Sequence, residues 1–283
     1  MTEIKKTPDG IEIPPPGPDD VLYEKKDGFA VVTMNRPTVL NAMNKNILRL
    51  LDASLDKAEA DDEVRAVVLT GAGRAFTAGG DLYASMYPDD DPAPSGMEVQ
   101  LRIWSFAKPV IAAVRGHAVG QGCELAGVCD FTLAAEDARF GEIQIRHGFP
   151  PPVLITPFLV GLKRAKEIMM LGDQFGAEEA REIGLVNRVV PTDSLLEEAE
   201  NMAHKLASLP QTTVRLNKML INRAYELAGF QEALAYRDDP NLEAVASGTR
   251  DDEVAKERLN RLTKEGWGAF KQQRDIMHET ETE

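Results

Sequence analysis

Gly116-His117-Ala118-Val119-Gly120-Gln121-Gly122-Cys123-Glu124-Leu125 is a run of small residues that leads straight into an apolar segment, and its reading decides the fold. Upstream, Pro109 to Val114 reads as a core strand; downstream, Gly120 to Val128 reads as a helix and Asp130 to Ala135 as a further strand. Strand, small-residue loop, helix and strand in succession define an α/β unit. Backbone N–H groups at the start of such a helix have no partner within it and point outward. Glu124 is the outlier: it stands in the first turn among Cys, Leu, Ala, Gly and Val, where a carboxylate is costly unless paired or functional. A carboxylate that merely answers the helix dipole is the lesser alternative.

A second glycine loop precedes this unit. Val64 to Thr70 reads as a β-branched strand and runs into Gly71-Ala72-Gly73-Arg74-Ala75-Phe76-Thr77-Ala78-Gly79-Gly80-Asp81-Leu82. A dinucleotide fingerprint needs glycine where Phe76 stands, and a Walker loop needs Gly-Lys-Ser/Thr, so neither phosphate cradle is present. Two strand-following loops that can each offer free N–H donors match what a developing oxyanion requires, because glycine lets the backbone approach a ligand closely. Tight turns and close packing would use the same glycines.

Further outward, Val21-Leu22-Tyr23 and Phe29 to Met34 flank Lys26-Asp27-Gly28 as a hairpin, and Ile47, Leu48, Leu51, Leu55 and Ala58 form one buried stripe on a helix from Asn44 to about Ala60. The breaker-rich segment Tyr87 to Ser95 reads as a mobile loop. Beyond Val189-Val190-Pro191 only helical patterns remain: Leu195 to Ser208, Thr212 to Ala228, Phe230 to Ser247 and Asp252 to Gln273. The expected organisation is a proline-rich, loosely packed arm over 1–20, an α/β core over 21–192 and a helical region over 193–283.

The chain has 283 residues and a formal net charge of −14, which opposes nucleic-acid binding; no run of basic residues offers a local exception. The 2 cysteines, Cys123 and Cys129, have neither redox nor zinc-site spacing and read as buried thiols. No metal is expected. The opening residues lack the apolar core of a secretory signal and no apolar stretch is long enough to span a bilayer, so the expected location is cytoplasmic.

Several ordered motifs resemble the enoyl-CoA hydratase/isomerase (crotonase) superfamily. They are Asn35-Arg36-Pro37 with Leu40-Asn41-Ala42-Met43, then Gly73 to Leu82, then Lys108 to Val114. Gly120 to Ala126 with Cys129-Asp130, Ala138-Arg139-Phe140-Gly141, and Ala177 to Pro191 follow in order, and Glu265-Gly266-Trp267-Gly268-Ala269-Phe270 resembles a late family segment. The resemblance implies an α/β fold of ββα spiral repeats with a C-terminal helical region, assembled as a homotrimer or a hexamer made of two trimers. It implies an acyl-CoA substrate, as in fatty acid metabolism, with coenzyme A entering as part of that substrate and no permanently bound cofactor.

By the same resemblance, the backbone N–H groups of Gly80 and Gln121 would form the oxyanion hole around the thioester oxygen, and Glu124 would be the acid/base. Val39, Leu40, Ala78, Asp81, Leu82 and Phe270 would line the CoA and substrate path. Hydratases of the family use a second carboxylate within Phe-Gly-x-x-Glu; here the run is Phe140-Gly141-Glu142-Ile143-Gln144, so Gln144 stands in its place. An amide orients water but cannot exchange a proton as a carboxylic acid does, which puts ordinary hydration in doubt. Glu142 would share a face with Gln144 if the segment were extended, although a surface position is the plainer reading. His117 and His147 are lesser candidates for proton carriage. Three functions fit: hydratase or isomerase chemistry through a stabilised enolate, hydrolysis or decarboxylation of a CoA thioester or β-dicarbonyl, and a non-catalytic acyl-CoA-binding scaffold.

Overall fold

In the computed structural model the described residues are 5–86, 92–235, 248 and 252–275. The polypeptide alternates between two sheets. Strands β1 (Lys5–Lys6) and β2 (Glu12–Ile13) pair with each other. β3 (Val21–Lys25) and β4 (Ala30–Met34) form the expected antiparallel hairpin. β5 (Val67–Gly71), β7 (Val110–Val114), β9 (Phe131–Ala135) and β12 (Arg188–Val190) extend it in parallel, giving the order β12-β9-β7-β5-β4-β3. β6 (Ala75–Thr77), β8 (His117–Val119), β10 (Arg139–Gly141) and β11 (Phe175–Gly176) make the second sheet, in the order β11-β10-β8-β6. Each of β5, β7 and β9 in the first sheet is thus followed along the chain by a strand of the second. This is the ββα spiral.

The central strands are near-continuous apolar runs because both faces of the large sheet are covered. Val32, Met34, Val67, Leu69, Val110, Ala112 and Val114 pack to one side against the helix Lys45–Ala60, whose Asn44 side chain caps it by accepting from the Ile47 N–H at 3.0 Å. Val31, Val68, Ile111, Ala113, Leu133 and Ala135 face the other way. There the helix Leu195–Ala207 lays down Leu195, Ala199 and Ala203 at four-residue spacing, and the two small alanines let it sit close to the strands. The first helix after residue 193 therefore completes the α/β body.

The glycine loop after β5 is held by Asn41, which is fully buried and in the left-handed region with φ 56°. Its Oδ1 accepts from the Arg36 N–H at 2.9 Å, and its Nδ2 donates to the carbonyls of Ala72 at 2.9 Å and Ala75 at 2.8 Å. The Asn41 carbonyl in turn accepts from the Thr77 hydroxyl at 2.8 Å. Asn41→Ala strands those buried backbone groups, so it is expected to lower unfolding free energy by about 3 kcal/mol or more in denaturant titration.

Three expectations change. The N-terminal arm is docked: Thr7 is buried, Asp9 Oδ2 accepts from the Gly268 N–H at 3.0 Å, and the Pro14 carbonyl accepts from Arg36 Nη2 at 3.3 Å. Short polar contacts to distant segments tie down a stretch that has little apolar surface of its own. The helix expected over Asp252 to Gln273 breaks at Gly266, with φ 91°, into Glu253–Glu265 and Trp267–Arg274. The pattern over Thr212 to Ala228 is a helix Gln211–Tyr225 followed by a wider turn Glu226–Phe230 around Gly229, φ 104°. Residues 87–91 of the expected mobile loop and most of Phe230 to Ser247 lie outside the described residues.

Candidate active site

The two glycine loops meet. A Cβ added at Gly79 would lie 2.6 Å from the Val119 carbonyl oxygen and 3.2 Å from the Gln121 nitrogen, so only glycine allows the approach, and Gly79 also has φ 87°. The next loop turns at Gly120, φ 55° and ψ −128°, and the helix Gln121–Val128 begins immediately. Neither the Gly80 nor the Gln121 N–H has a hydrogen-bond partner among the described residues. Both residues line a cavity of about 530 Å³.

Of the residues expected along the substrate path, Val39, Leu40, Ala78, Asp81 and Leu82 line that cavity with Gln144. Asp81 also pairs with the buried Arg36 at 3.0 Å and accepts from the Ala84 N–H at 3.1 Å, which fixes the chain where it leaves the glycine loop. Phe270 departs from expectation: it is fully buried with Tyr83 and Leu262 and lines no part of the cavity. The sequence showed an aromatic pair but not which member the helix turns inward. Its neighbours Trp267, Lys271 and Arg274 are the ones at the wall, joined by Thr7, Ile11 and Ile13 of the docked arm.

Arg74, Lys271 and Arg274 converge on this cavity although the whole chain carries a net charge of −14. Burial, with the charges of Arg274 and Arg74 beside it, pushes the Lys271 ammonium below its usual range. His117 is likewise lowered, first by burial and against a hydrogen bond with Gln174. His147 is pushed down to about 3 by burial and then by the Arg274 charge, so it is neutral at physiological pH. Both imidazoles line the cavity.

Glu124 is fully buried and does not line the cavity itself; it is hydrogen-bonded to Gln144, which does. Its Oε2 accepts from the Val153 N–H at 3.1 Å and its Oε1 from Gln144 Nε2 at 3.3 Å. Gln144 occupies a short 3-10 helix, Ile143–His147, and its Nε2 also donates to Glu142 Oε2 at 2.7 Å. Glu142 is not at the surface, as its sequence neighbourhood suggested; it is 1 % exposed, with Oε1 accepting from the Thr156 hydroxyl at 2.6 Å. No periodicity could reveal this, because the segment is too short to have one.

Burial pushes the Glu142 carboxyl up to about 7 from 4.5, against the hydrogen bonds of Thr156 and Gln144, which lower it. Folded protein therefore holds a proton that the unfolded chain has released between about pH 4.5 and pH 7. Stability falls as pH rises through that window and levels above it. The difference is expected to reach about 3 kcal/mol. Urea unfolding at pH 5 and pH 8, beside Glu142→Gln, checks this; the variant should lose most of the slope.

These are the features of an α/β spiral protein whose two glycine loops open onto a cavity lined by cationic side chains. The sequence model of the enoyl-CoA hydratase/isomerase family matches residues 24–276, and this chain belongs to that family. It is similar to the short-chain-enoyl-CoA hydratase of Clostridium acetobutylicum, with 38% identity over 78% of this chain and 87% of the relative. The crotonyl-CoA hydratase of Syntrophomonas wolfei is 37% identical over 74% of this chain and 83% of its own. Among solved structures, an enoyl-CoA hydratase/isomerase from Xanthobacter autotrophicus superposes with a TM-score of 0.83 at 37% identity, covering 91% of this chain and 98% of that one. Among the described residues no helix is long and apolar enough to cross a membrane, and no cluster of three or more His, Cys, Asp or Glu side chains could hold a metal ion.

Proposed function

We propose that the protein hydrates a 2-enoyl-CoA thioester with Glu124 as its single proton carrier. The observation that carries this reading is that Glu124, buried and held by the Val153 N–H, is hydrogen-bonded to Gln144, which lines the same cavity as Gly80 and Gln121. The two N–H groups hold the thioester oxygen as it gains negative charge. In this reading the attacking water enters beside Gln144, whose Nε2 donates directly to Glu124 Oε1 at 3.3 Å. As the water oxygen bonds to Cβ, one water proton passes to Glu124 and the C=C electron pair moves into the enolate. Glu124 then returns that proton to Cα, so that one water has been added and the carboxylate is regenerated. Coenzyme A enters as part of the substrate, and Arg74, Lys271 and Arg274 supply the positive charge for its phosphates. No resident cofactor is called for.

A second reading, isomerisation, is favoured by Gln144 itself: a double-bond shift moves one proton between two carbons and needs only one carboxylate. Crotonyl-CoA assays that follow the enoyl absorbance, the products and free thiol together test both. Hydrated product supports the first reading and a shifted double bond the second; thiol release alone identifies a hydrolase, and binding without any product a scaffold. For assembly, we propose a homotrimer, alone or paired into a hexamer. Leu216, Met219, Leu220 and Ile221 are 50%, 57%, 59% and 58% exposed on the helix Gln211–Tyr225, an apolar face that another copy would cover. Sedimentation reads the outcome. A cytoplasmic location fits this reading.

A further inference from the structure

Gln144 lies between two carboxylates, and that placement fixes more than its position. The two ends of an amide have the same shape, so only chemistry decides which end faces which neighbour. Glu124 Oε1 and Glu142 Oε2 both accept from the end that lies between them, the nitrogen, which is the one group of the amide that can donate twice. Its bonds run 3.3 Å to Glu124 and 2.7 Å to Glu142, whose other oxygen accepts from the Thr156 hydroxyl at 2.6 Å. The Gln144 carbonyl oxygen is turned the other way. A Cβ at Gly120 would meet it at 3.3 Å, and it has no partner among the described residues.

We propose that Glu142 is a positioning residue: by accepting from Gln144 Nε2 it locks the amide so that the carbonyl oxygen faces the Gly120 loop as an acceptor for the reacting hydroxyl group. The inference rests on the hydration reading and deepens it. A water or 3-hydroxyl group there donates one hydrogen to Gln144 Oε1 and the other, when present, to Glu124. In Glu142→Gln, Thr156 still donates to the new carbonyl oxygen, so the new NH₂ meets Gln144. The Gln144 amide then turns over to accept from it and presents NH₂ where the hydroxyl group must donate. A carboxylate at position 144 has two like oxygens and no such orientation to lose.

Three measurements on the full chain test this. For crotonyl-CoA hydration, Glu142→Gln is expected to lower kcat about 10-fold or more, at the low end of positioned acid/base effects, with KM within about 3-fold. In a Gln144→Glu background the same change is expected to cost less than about 3-fold or to raise activity, because the neighbouring buried charge is removed. Independently of turnover, the preference of the protein for 3-hydroxybutyryl-CoA over butyryl-CoA is expected to shrink about 3- to 10-fold in Glu142→Gln, and in the same direction by less in Thr156→Val, which only loosens the anchor. Unchanged kcat and preference in Glu142→Gln, or equal losses in both backgrounds, overturn the role of Glu142. If the unsubstituted protein hydrates no crotonyl-CoA, the hydration reading fails, while the binding preference still decides whether Glu142 orients Gln144.

Discussion

Glu124→Gln is expected to lower turnover of crotonyl-CoA by at least about 10³-fold while CoA affinity stays within about 3-fold, because the substitution preserves shape and removes the only carboxylate assigned to carry the proton. Burial magnifies the effect: Glu124 is fully enclosed, so bulk water cannot take over its task. The amide also mismatches its surroundings, since the Val153 N–H at 3.1 Å and Gln144 Nε2 at 3.3 Å are both donors. One of them must lose its acceptor, which is expected to cost about 1 to 3 kcal/mol of stability. Single-turnover kinetics beside a thermal melt separate the two consequences. Turnover within 10-fold of the unsubstituted protein would remove Glu124 from the mechanism.

The second large effect concerns a backbone atom. Gln121 is the first residue of its helix, a position where proline fits because the N–H has no helical partner to lose. Gln121→Pro therefore deletes one proposed oxyanion donor with little disturbance to the helix, and is expected to reduce kcat about 10²- to 10³-fold. Gln121→Ala keeps the N–H and removes the side chain, so it should stay within about 10-fold. Equal losses in both variants would show that the side chain matters and the N–H does not. The melting temperature of both should remain near that of the original chain.

The order of strand, glycine loop and helix was legible because each step has its own local chemistry. β-branched runs form β5 and β7, glycines that must adopt positive φ mark the turns, and Asn44 caps the helix whose apolar stripe was plain. Glu124 stood out for the same local reason, a charge in an apolar turn. What stayed hidden depended on partners far away in sequence. The arm is held by Asp9 on Gly268, a contact spanning most of the chain, and nothing in a proline-rich acidic stretch announces its partner. Glu142 looked like an ordinary surface residue until Thr156 and Gln144 closed around it. The motif at the tail was visible, but which aromatic faces the cavity depends on the break at Gly266, which turns Phe270 inward and leaves Trp267 and Lys271 at the wall.

Crotonyl-CoA incubated with the protein in deuterium oxide, with products read by NMR, tests the central claim most directly, because hydration, double-bond shift and thioester cleavage leave different marks. The account predicts 3-hydroxybutyryl-CoA carrying one deuterium at Cα, formed by the unsubstituted chain and lost with Glu124→Gln. Free CoA thiol with no deuterium in the acyl chain, or the same deuterated product formed as fast by Glu124→Gln, would contradict it.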